Sequence, residues 1–335
     1  MLYLHSAGHF HPENVIDNRF LERLDIGTDD EWIVARTGIR TRHTVLPLEY
    51  ICATRNRDPR AADEASRYSN AETGCRAAQM ALARAGLTPS DIGMVIAGSS
   101  APRIGSPAEA CLIADHLGIS APCLDINSAC SAFVAQLRLI SMMSADHTPE
   151  FVLLVHPENL TRTANYSDRS TAVLMGDATT AAIVSCRVPS GIRIGPVSVA
   201  SDPASWRKVT IPCIGHLQQQ GGAVQNFAIR KMCGTVAEFQ AHTRDGFWFI
   251  GHQANLPMLQ SVCARTGIDS ARHLFNVDRH GNCGAAGCIS VISERFAQFR
   301  PGDQIIAAVV GAGLTWGGCL IEFAELPSQA KRGVS

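Results

Sequence analysis

The sequence predicts an α/β protein built from two similar halves. Short apolar runs that favour strands alternate with helical segments in both halves of the chain. This alternation is typical of βαβ units with buried parallel strands. The chain has 335 residues, enough for about two hydrophobic cores. Its 46% of apolar residues and 18% of charged residues indicate a globular protein with a large interior.

The predicted elements follow the same order in each half. In the first half we expect strands at 94–100, 122–127 and 151–156, with helices at about 107–117 and from 131 to about 143. In the second half we expect strands at 247–251, 273–277 and 304–313, helices after the first two, and a last strand in TWGGCLIEF. We therefore divide the chain into a first half at 1–190, a second half at 191–325 and a frayed tail at 326–335.

Two segments interrupt this pattern. Residues 44–70 are polar and charged and contain two prolines, and a helix begins after them near Ala71. They fit either an ordered insertion or lid, or a solvated surface excursion, because loops of this length are uncommon unless they are functional or disordered. Residues 218–222 (QQQGG) are expected to form a flexible loop.

Composition excludes several classes of function. Lysine and arginine number 29 against 30 acidic residues, a net charge of −1, so no broad basic field is available for nucleic acid. The N-terminal residues lack the features of a secretory signal, and the longest apolar run, 305–314, is too short to cross a bilayer. We therefore expect a cytoplasmic protein without membrane contact. The twelve cysteines contain no CxxC pair, which argues against disulfides and a zinc site.

Three polar residues at predicted strand ends are candidates for catalysis. Cys130 lies between a strand and a helix, where free amides and the helix dipole favour thiolate. His252 in FIGHQAN follows an apolar strand, and Asn282 lies in a glycine-rich loop. Taken singly, they also fit an inert buried thiol, a histidine that hydrogen-bonds a loop, and a turn asparagine.

Together the three residues suit acyl-thioester chemistry. The cysteine would accept an acyl group, while His252 and Asn282 would stabilise the enolate of a second thioester by hydrogen bonds. The backbone amides of Cys130 and of the glycine-rich turn at 309–318 would serve as the oxyanion donors during acylation.

Five segments, in order, resemble the signatures of β-ketoacyl-acyl-carrier-protein synthase III in the thiolase superfamily. They are DEWIVARTGIRTRH at 30–43, DINSAC at 125–130, GHQAN at 251–255, GNCGAAG at 281–287 and GAGLTWGG at 311–318, and the match runs from about residue 1 to 323. The resemblance implies a thiolase-like fold, two pseudo-duplicated α/β halves in a five-layered αβαβα core. It also implies a homodimer that uses acyl-coenzyme A or acyl carrier protein as substrate, with no other cofactor and no metal.

The resemblance also assigns roles to residues. Cys130 matches the acylated nucleophile, and His252 and Asn282 match the pair that stabilises the carbanion. The binding residues it implies are Trp32 and Arg36 beside the coenzyme A nucleotide, Arg162 on the phosphate side and Asn255 in the pantetheine tunnel.

Several departures from the family pattern bear on the substrate. Ala312 stands where the family's glycine-rich turn supplies an oxyanion donor, and it can still donate its N–H if its φ is negative. Ser106 replaces a bulky aromatic before Pro107, which predicts a wider acyl pocket. Leu256 and Pro257 replace a basic residue that helps to dock the carrier protein. Residues 230–231 (Arg-Lys) fit either a substitute contact or a solvated helix face.

These departures favour a ketosynthase that joins medium, long or β-ketoacyl thioesters through acyl-Cys130 and closes a dialkylresorcinol- or cyclohexanedione-type ring. One alternative is decarboxylative condensation of acyl-CoA with malonyl-carrier protein, which initiates fatty acid synthesis. Acyl transfer to an oxygen or nitrogen acceptor and a non-catalytic role in a heterodimer are further alternatives. A non-catalytic subunit is expected to have lost the nucleophile, whereas Cys130 is present in this chain.

Overall fold

The computed structural model describes residues 1–244 and 246–325, so the predicted tail at 326–335 lies outside the described residues. The strands are β1 (Leu2–Phe10), β2 (Asn14–Asp17), β3 (Thr41–Thr44), β4 (Ile92–Ala97), β5 (Cys123–Asp125), β6 (Phe151–Asn159), β7 (Asp177–Ser185), β8 (Ile192–Ser201), β9 (Val209–Thr210), β10 (Gln218–Gln219), β11 (Trp248–Gly251), β12 (Gln304–Gly311) and β13 (Thr315–Phe323). The helices are α1 (Asn18–Arg23), α2 (Asp30–Thr37), α3 (Leu48–Thr54), α4 (Pro59–Ala65), α5 (Asn70–Ala85), α6 (Glu109–Leu117), α7 (Ala132–Ser141), α8 (Arg169–Ala172), α9 (Gly221–Gln240), α10 (Leu256–Thr266), α11 (Val277–His280) and α12 (Ala286–Glu294).

The main sheet shows the predicted duplication. Its strand order is β11-β12-β13-β8-β1-β7-β6-β4-β5. The run β1-β7-β6-β4 in the first half has the same chain order and the same directions as β8-β13-β12-β11 in the second half, two antiparallel pairs followed by a parallel pair. Each half therefore repeats one topology around the boundary between β8 and β1.

The second half lacks a counterpart to the edge strand β5. The predicted strand at 273–277 is wrong, because the structure reduces it to one parallel bridge between Phe249 and His273 before α11 begins. The predicted loop at 218–222 is also wrong, since β10 and the first turn of α9 occupy it. Short polar runs rich in glutamine and glycine carry too little periodicity to reveal such elements.

Helices cover the sheet in three layers, which gives the five-layered αβαβα core. The helices α5 and α6 pack on the first-half strands through an alanine- and isoleucine-rich cluster. On the other side, α9 and α10 pack on β11, β12 and β13. Between the two halves lie α7 and α12, whose apolar residues join strands of both halves in one core cluster. All eight residues of α12 from 286 to 293 are buried, as expected for a central helix.

The halves share few backbone hydrogen bonds. In the described residues, β1 and β8 pair only at Leu2 with Ile194 and at Tyr3 with Arg193. The proposed boundary at 190/191 falls in the loop between β7 and β8. Side-chain packing around the central helices therefore holds the halves together.

Residues 44–70 form an ordered insertion that contains α3 and α4. Asn56 is fully buried, and its Nδ2 lies 2.8 Å from Arg162 O and 2.9 Å from Ala164 O. The insertion also contributes Ile51 and Ala62 to an apolar cluster with the segment that follows β6. It therefore supports one wall of the neighbouring cavity. No helix in the described ranges is both long and apolar enough to span a membrane.

Candidate active site

Cys130, His252 and Asn282 line one cavity of about 350 Å³. The first comes from the first half and the other two from the second half. Cys130 follows β5, His252 follows β11, and Asn282 follows α11 in the loop after the short bridge at His273. In α/β sheets, functional groups commonly lie after the carboxyl ends of strands. The structure therefore brings together the three residues singled out from the sequence.

A tight turn presents Cys130 to the cavity. A 3₁₀ segment at Ala129–Ser131 leads into α7, and Ala129 has a φ of +45°, a left-handed conformation that costs energy for a residue with a Cβ. The side chain of Asn127 supports the turn by accepting a hydrogen bond from Ala129 N at 2.8 Å. Cys130 thus lies beside a locally strained backbone position.

Gly311, at the end of β12, leaves room for this turn. A Cβ at this position would lie 2.9 Å from both Ser128 O and Ser131 N, and 3.1 Å from Cys130 N. Such contacts with backbone atoms leave little freedom to adjust, so the close approach requires glycine. The next residue, Ala312, lines the cavity and has a negative φ, which is compatible with donation of its N–H toward Cys130.

The environment of Cys130 differs from the expectation of a resting thiolate. Burial, followed by the nearby Glu158 carboxylate, raises the pKa of Cys130 to about 12, and hydrogen bonds from its own backbone and from Ser100 only partly oppose this. The sequence reveals the helix start but not the buried acid. The thiol is therefore protonated at neutral pH, and attack requires a proton acceptor.

Glu158 and Ser100 are functional candidates that the sequence reasoning missed. Glu158 lies fully buried near the end of β6 and accepts hydrogen bonds from Ser100 Oγ at 2.9 Å, Ser100 N at 3.0 Å and Ala285 N at 3.1 Å. Burial raises its pKa to about 7, so carboxylate and carboxylic acid are both accessible near neutral pH. The sequence signal was an acidic residue directly after the buried run FVLLVHP.

His252 provides a neutral imidazole. Burial lowers its pKa to about 4, so at neutral pH the ring carries one N–H donor and one lone pair. Its backbone N donates to Ala308 O at 2.9 Å, which fixes the end of β11 against β12.

Asn282 presents its amide as a donor. Its Oδ1 accepts from Gly284 N at 3.0 Å, which leaves Nδ2 for a ligand. Backbone hydrogen bonds with Leu174 O at 2.8 Å and from Gly176 N at 3.1 Å hold the loop in place. The cavity lining thus includes two neutral donors and one thiol.

The remaining predicted binding residues fall into two groups, and Arg36 and Asn255 belong to the first because they line the cavity. Asn255 also caps α10, since its Oδ1 accepts from Met258 N at 2.8 Å and its Nδ2 stays available. The Trp32 ring contacts the guanidinium groups of Arg36 and Arg169, whose central carbons lie 4.5 and 4.8 Å from the ring centroid.

Arg162 and Ser106 belong to the second group, because the structure places both away from the cavity. The prediction that Arg162 contacts phosphate is wrong: the side chain is buried, pairs with Asp63 of the insertion and donates to Asn70 Oδ1 and Ala101 O at 2.9 Å. Ser106 is exposed and is not among the described residues that line the cavity of this chain, so it does not shape the pocket within one subunit.

Comparisons with known proteins identify the family. Residues 124–203 match the model described as 3-oxoacyl-[acyl-carrier-protein] synthase III, and residues 237–323 match its C-terminal model. The β-ketoacyl-[acyl-carrier-protein] synthase III of Coxiella burnetii RSA 493 is 28% identical, over 95% of this chain and 98% of the relative.

Solved structures agree with this match. The 3-oxoacyl-[acyl-carrier-protein] synthase III of Aquifex aeolicus is 25% identical with a TM-score of 0.85, covering 96% of this chain and all of that one. The enzyme of Pseudomonas aeruginosa is 26% identical with a TM-score of 0.83, covering 97% and 99%. The fold is therefore the thiolase-like α/β fold of condensing acyltransferases. The chain belongs to the 3-oxoacyl-[acyl-carrier-protein] synthase III family and is an enzyme of this class.

Proposed function

We propose that this enzyme forms a carbon–carbon bond between two acyl thioesters through an acyl-Cys130 intermediate. The observation that carries the proposal is the single cavity that contains Cys130, His252 and Asn282. In the first step, Cys130 attacks the thioester carbonyl, and the thiol of the first carrier leaves. The backbone amides of Cys130 and Ala312 stabilise the tetrahedral oxyanion.

The proton of Cys130 needs an acceptor, and Glu158 fills this role. Ser100 lines the cavity beside Cys130, and its hydroxyl lies 2.9 Å from Glu158 Oε1. The hydroxyl passes its proton to the carboxylate while it accepts the proton of the thiol. Protonation of Glu158 removes the negative charge that disfavours thiolate, so the transfer also eases formation of the nucleophile.

Glu158 returns the proton of Cys130 to the departing carrier thiolate and is a carboxylate again. In the second step it accepts a proton from the α-carbon of the second substrate, while His252 and Asn282 hold the thioester oxygen as it becomes an enolate. The enolate carbon attacks the acyl-Cys130 carbonyl, and the Cys130 thiolate leaves. When the acyl chain from Cys130 is α,β-unsaturated, the carbon on the far side of the ketone in the joined β-ketoacyl chain then adds to the β-carbon of that acyl chain and closes a six-membered ring of the dialkylresorcinol or cyclohexanedione type. Hydrolysis of the remaining thioester releases the carrier thiol.

The cavity favours acyl groups larger than acetyl. Its walls are mainly apolar, and each buried methylene contributes about 0.8 kcal/mol. The apolar lining consists of Leu160, Leu174, Met175, Val209, Ile211, Leu217, Val224, Ala228, Met258 and Val310. We therefore assign medium, long or β-ketoacyl thioesters as substrates.

We also propose that coenzyme A or an acyl carrier protein delivers these substrates and that the enzyme is a homodimer. Arg36, Trp32 and Arg169 offer two cations and an aromatic face to a nucleotide and its phosphates. A groove that contains Lys208, Arg230 and Arg265 lies beside the cavity. Neighbouring residues of α9 line the groove and the cavity. Three cations in one groove suit the acidic surface of a carrier protein.

One alternative is decarboxylative condensation of acyl-CoA with malonyl-carrier protein, which initiates fatty acid synthesis. The similarity to the 28% identical β-ketoacyl-[acyl-carrier-protein] synthases III favours this alternative, which would use the same three residues.

Two assays test the proposal and separate it from the alternative. First, intact-protein mass spectrometry after incubation with acyl-CoA should show one acyl adduct, which Cys130→Ala abolishes; an adduct that persists in the variant contradicts the assigned nucleophile. Second, β-ketoacyl thioester plus a medium-chain α,β-unsaturated acyl thioester should yield a cyclised product by liquid chromatography and mass spectrometry. Rapid release of carbon dioxide from malonyl-carrier protein without a cyclised product would favour initiation of fatty acid synthesis instead.

A further inference from the structure

Four histidines and one glutamate gather outside the active-site cavity. His9 lies near the end of β1, His11 follows that strand, and His43 lies in β3. His280 and Glu294 are the last residues of α11 and α12. None of the five is among the described residues that line the active-site cavity. The cluster joins elements from both halves of the chain.

Three of these side chains converge closely. His9, His11 and Glu294 each offer one ligand atom, and the three atoms lie within 4.8 Å of one another. Ligands of a tetrahedral zinc ion, bound at about 2.1 Å, are separated by about 3.4 Å, so small side-chain rotations close the set. Imidazole nitrogen and carboxylate oxygen are the donors that zinc and similar ions accept.

His11 supplies a second, independent observation. Its side chain is 10% exposed, yet neither ring nitrogen has a hydrogen-bond partner in the structure. Nε2 lies 3.6 Å from Glu294 Oε1, beyond hydrogen-bonding distance. Buried polar atoms are nearly always satisfied, so a nitrogen aimed at a carboxylate in this way indicates a ligand between them.

Neighbouring groups prepare the other two ligands. Ser293 Oγ donates to Ala7 O at 3.2 Å, so His9 Nδ1, 2.8 Å from the same Oγ, is the donor of its pair. The lone pair of His9 Nε2 is then free for a metal ion.

Two neighbouring side chains orient the Glu294 carboxylate. His280 Nε2 and Arg279 Nη2 each lie 2.7 Å from a different carboxylate oxygen. Each oxygen keeps a second lone pair, so these contacts orient the carboxylate without blocking it.

We propose that His9, His11 and Glu294 bind a divalent transition-metal ion of the zinc type, with His280, Arg279 and Ser293 orienting the ligands. The His280 ring stacks on the His11 ring at 3.8 Å. Because His280 is two residues before Asn282, the ion fixes the base of the loop that presents this amide to the cavity. It also ties β1 of the first half to α12 of the second. Its role is structural.

The test uses the full chain freed of metal by a chelator. Zn²⁺ titrated by calorimetry should bind with one equivalent per chain. Co²⁺ should give visible ligand-field bands of nitrogen and oxygen ligation without a thiolate charge-transfer band, which distinguishes the cluster from the twelve cysteines. His9→Gln and His11→Gln should weaken binding by about 100-fold or more. The exposed His147→Gln is the matched control and should bind like wild type.

Several outcomes would overturn the proposal: no stoichiometric binding by the wild type, unchanged affinity in His11→Gln, or a thiolate band in the Co²⁺ spectrum. Circular dichroism checks that the variants fold. If they do not, the wild type still decides the matter, because one equivalent of Zn²⁺ should raise its melting temperature, and an unchanged melting temperature contradicts the site.

Discussion

Cys130 lies beside a carboxylate that makes its ionisation unfavourable, and this pairing sets the chemistry at the residue scale. Burial and Glu158 together raise the pKa of the thiol to about 12. The same carboxylate has a pKa of about 7 and is linked to the cavity through Ser100. One group therefore both suppresses the resting thiolate and accepts the proton when substrate arrives.

The pH dependence of acylation tests this pairing. The pKa of Glu158 is raised from 4.5 to about 7, so the basic form is lost as pH falls below about 7. The rate of acyl-adduct formation in the wild type should therefore fall about tenfold per pH unit on the acid side. Glu158→Gln should lower the rate by about 10²-fold or more and remove that limb.

Rapid-quench mass spectrometry between pH 5.5 and 8.5 measures this profile. Exposed Glu150→Gln serves as the control, since its carboxylate is distant in the fold and should leave the profile unchanged. A limb near pH 7 that persists in Glu158→Gln would assign the proton acceptor to another group.

His252 and Asn282 are expected to act after acylation. Alanine at either position removes one donor to the enolate, so condensation should fall by about 10²- to 10³-fold. The acyl adduct on Cys130 should still form, because neither donor serves the first oxyanion. Single-turnover adduct formation and product formation, measured on the same preparation, separate the steps. Equal loss of both would contradict the division of roles.

At this scale the sequence predicted the convergence of the three catalytic candidates on one cavity better than the positions of the binding residues. The three catalytic candidates stand in distinct motifs at strand ends, which the fold brings together. Arg162 and Arg169 instead lie seven residues apart in one polar segment. Asp63, Asn70 and Ala101 hold the Arg162 side chain in the interior, whereas Arg169 lies beside Trp32. Sequence reasoning cannot identify these partners, because they lie 61 to 99 positions away in the chain.

At the scale of elements, the insertion at 44–70 stabilises the cavity wall. Asn56 connects its two helices to the segment after β6 through backbone carbonyls, and its own carbonyl accepts from His216 Nε2 at 2.7 Å. The sequence showed an interruption of the strand–helix pattern, but the polar composition fitted both a surface excursion and an ordered element. A few buried side chains, including that of Ile51, make the insertion an ordered element.

Removal of the Asn56 side chain should therefore destabilise the whole fold. Asn56→Ala leaves buried carbonyl groups unsatisfied, at a cost of about 1–3 kcal/mol each, moderated by any entering water. The midpoint of urea unfolding should fall, whereas the exposed neighbour Arg57→Ala should leave it nearly unchanged. Equal midpoints for the two variants would show that the insertion contributes little to stability.

At the scale of the whole molecule, a nearly neutral protein concentrates positive charge in one place. The net charge is −1, yet the groove beside the cavity contains Lys208, Arg230 and Arg265. The fold class and the duplicated order of elements followed from the alternation of strands and helices. The groove could not be predicted from that alternation, because its three cations come from distant parts of the chain.

Charge reversal in the groove tests its role in delivery. Arg230→Glu should raise KM for substrates on an acidic carrier protein about tenfold, and added salt should shrink the difference from wild type. KM for coenzyme A thioesters should change little. Exposed Arg187→Glu, outside the groove, is the matched control. A similar rise in KM for both kinds of substrate would contradict docking by charge.

The fit of Gly311 beneath the Cys130 turn bears on how the enzyme is made. The 3₁₀ segment rests on β12, one of the last strands in the chain. A ribosome-bound fragment that has not yet released this strand lacks that support, as well as the loop that carries Asn282. The turn around Cys130 therefore reaches its final shape only after β12 has left the ribosome and folded.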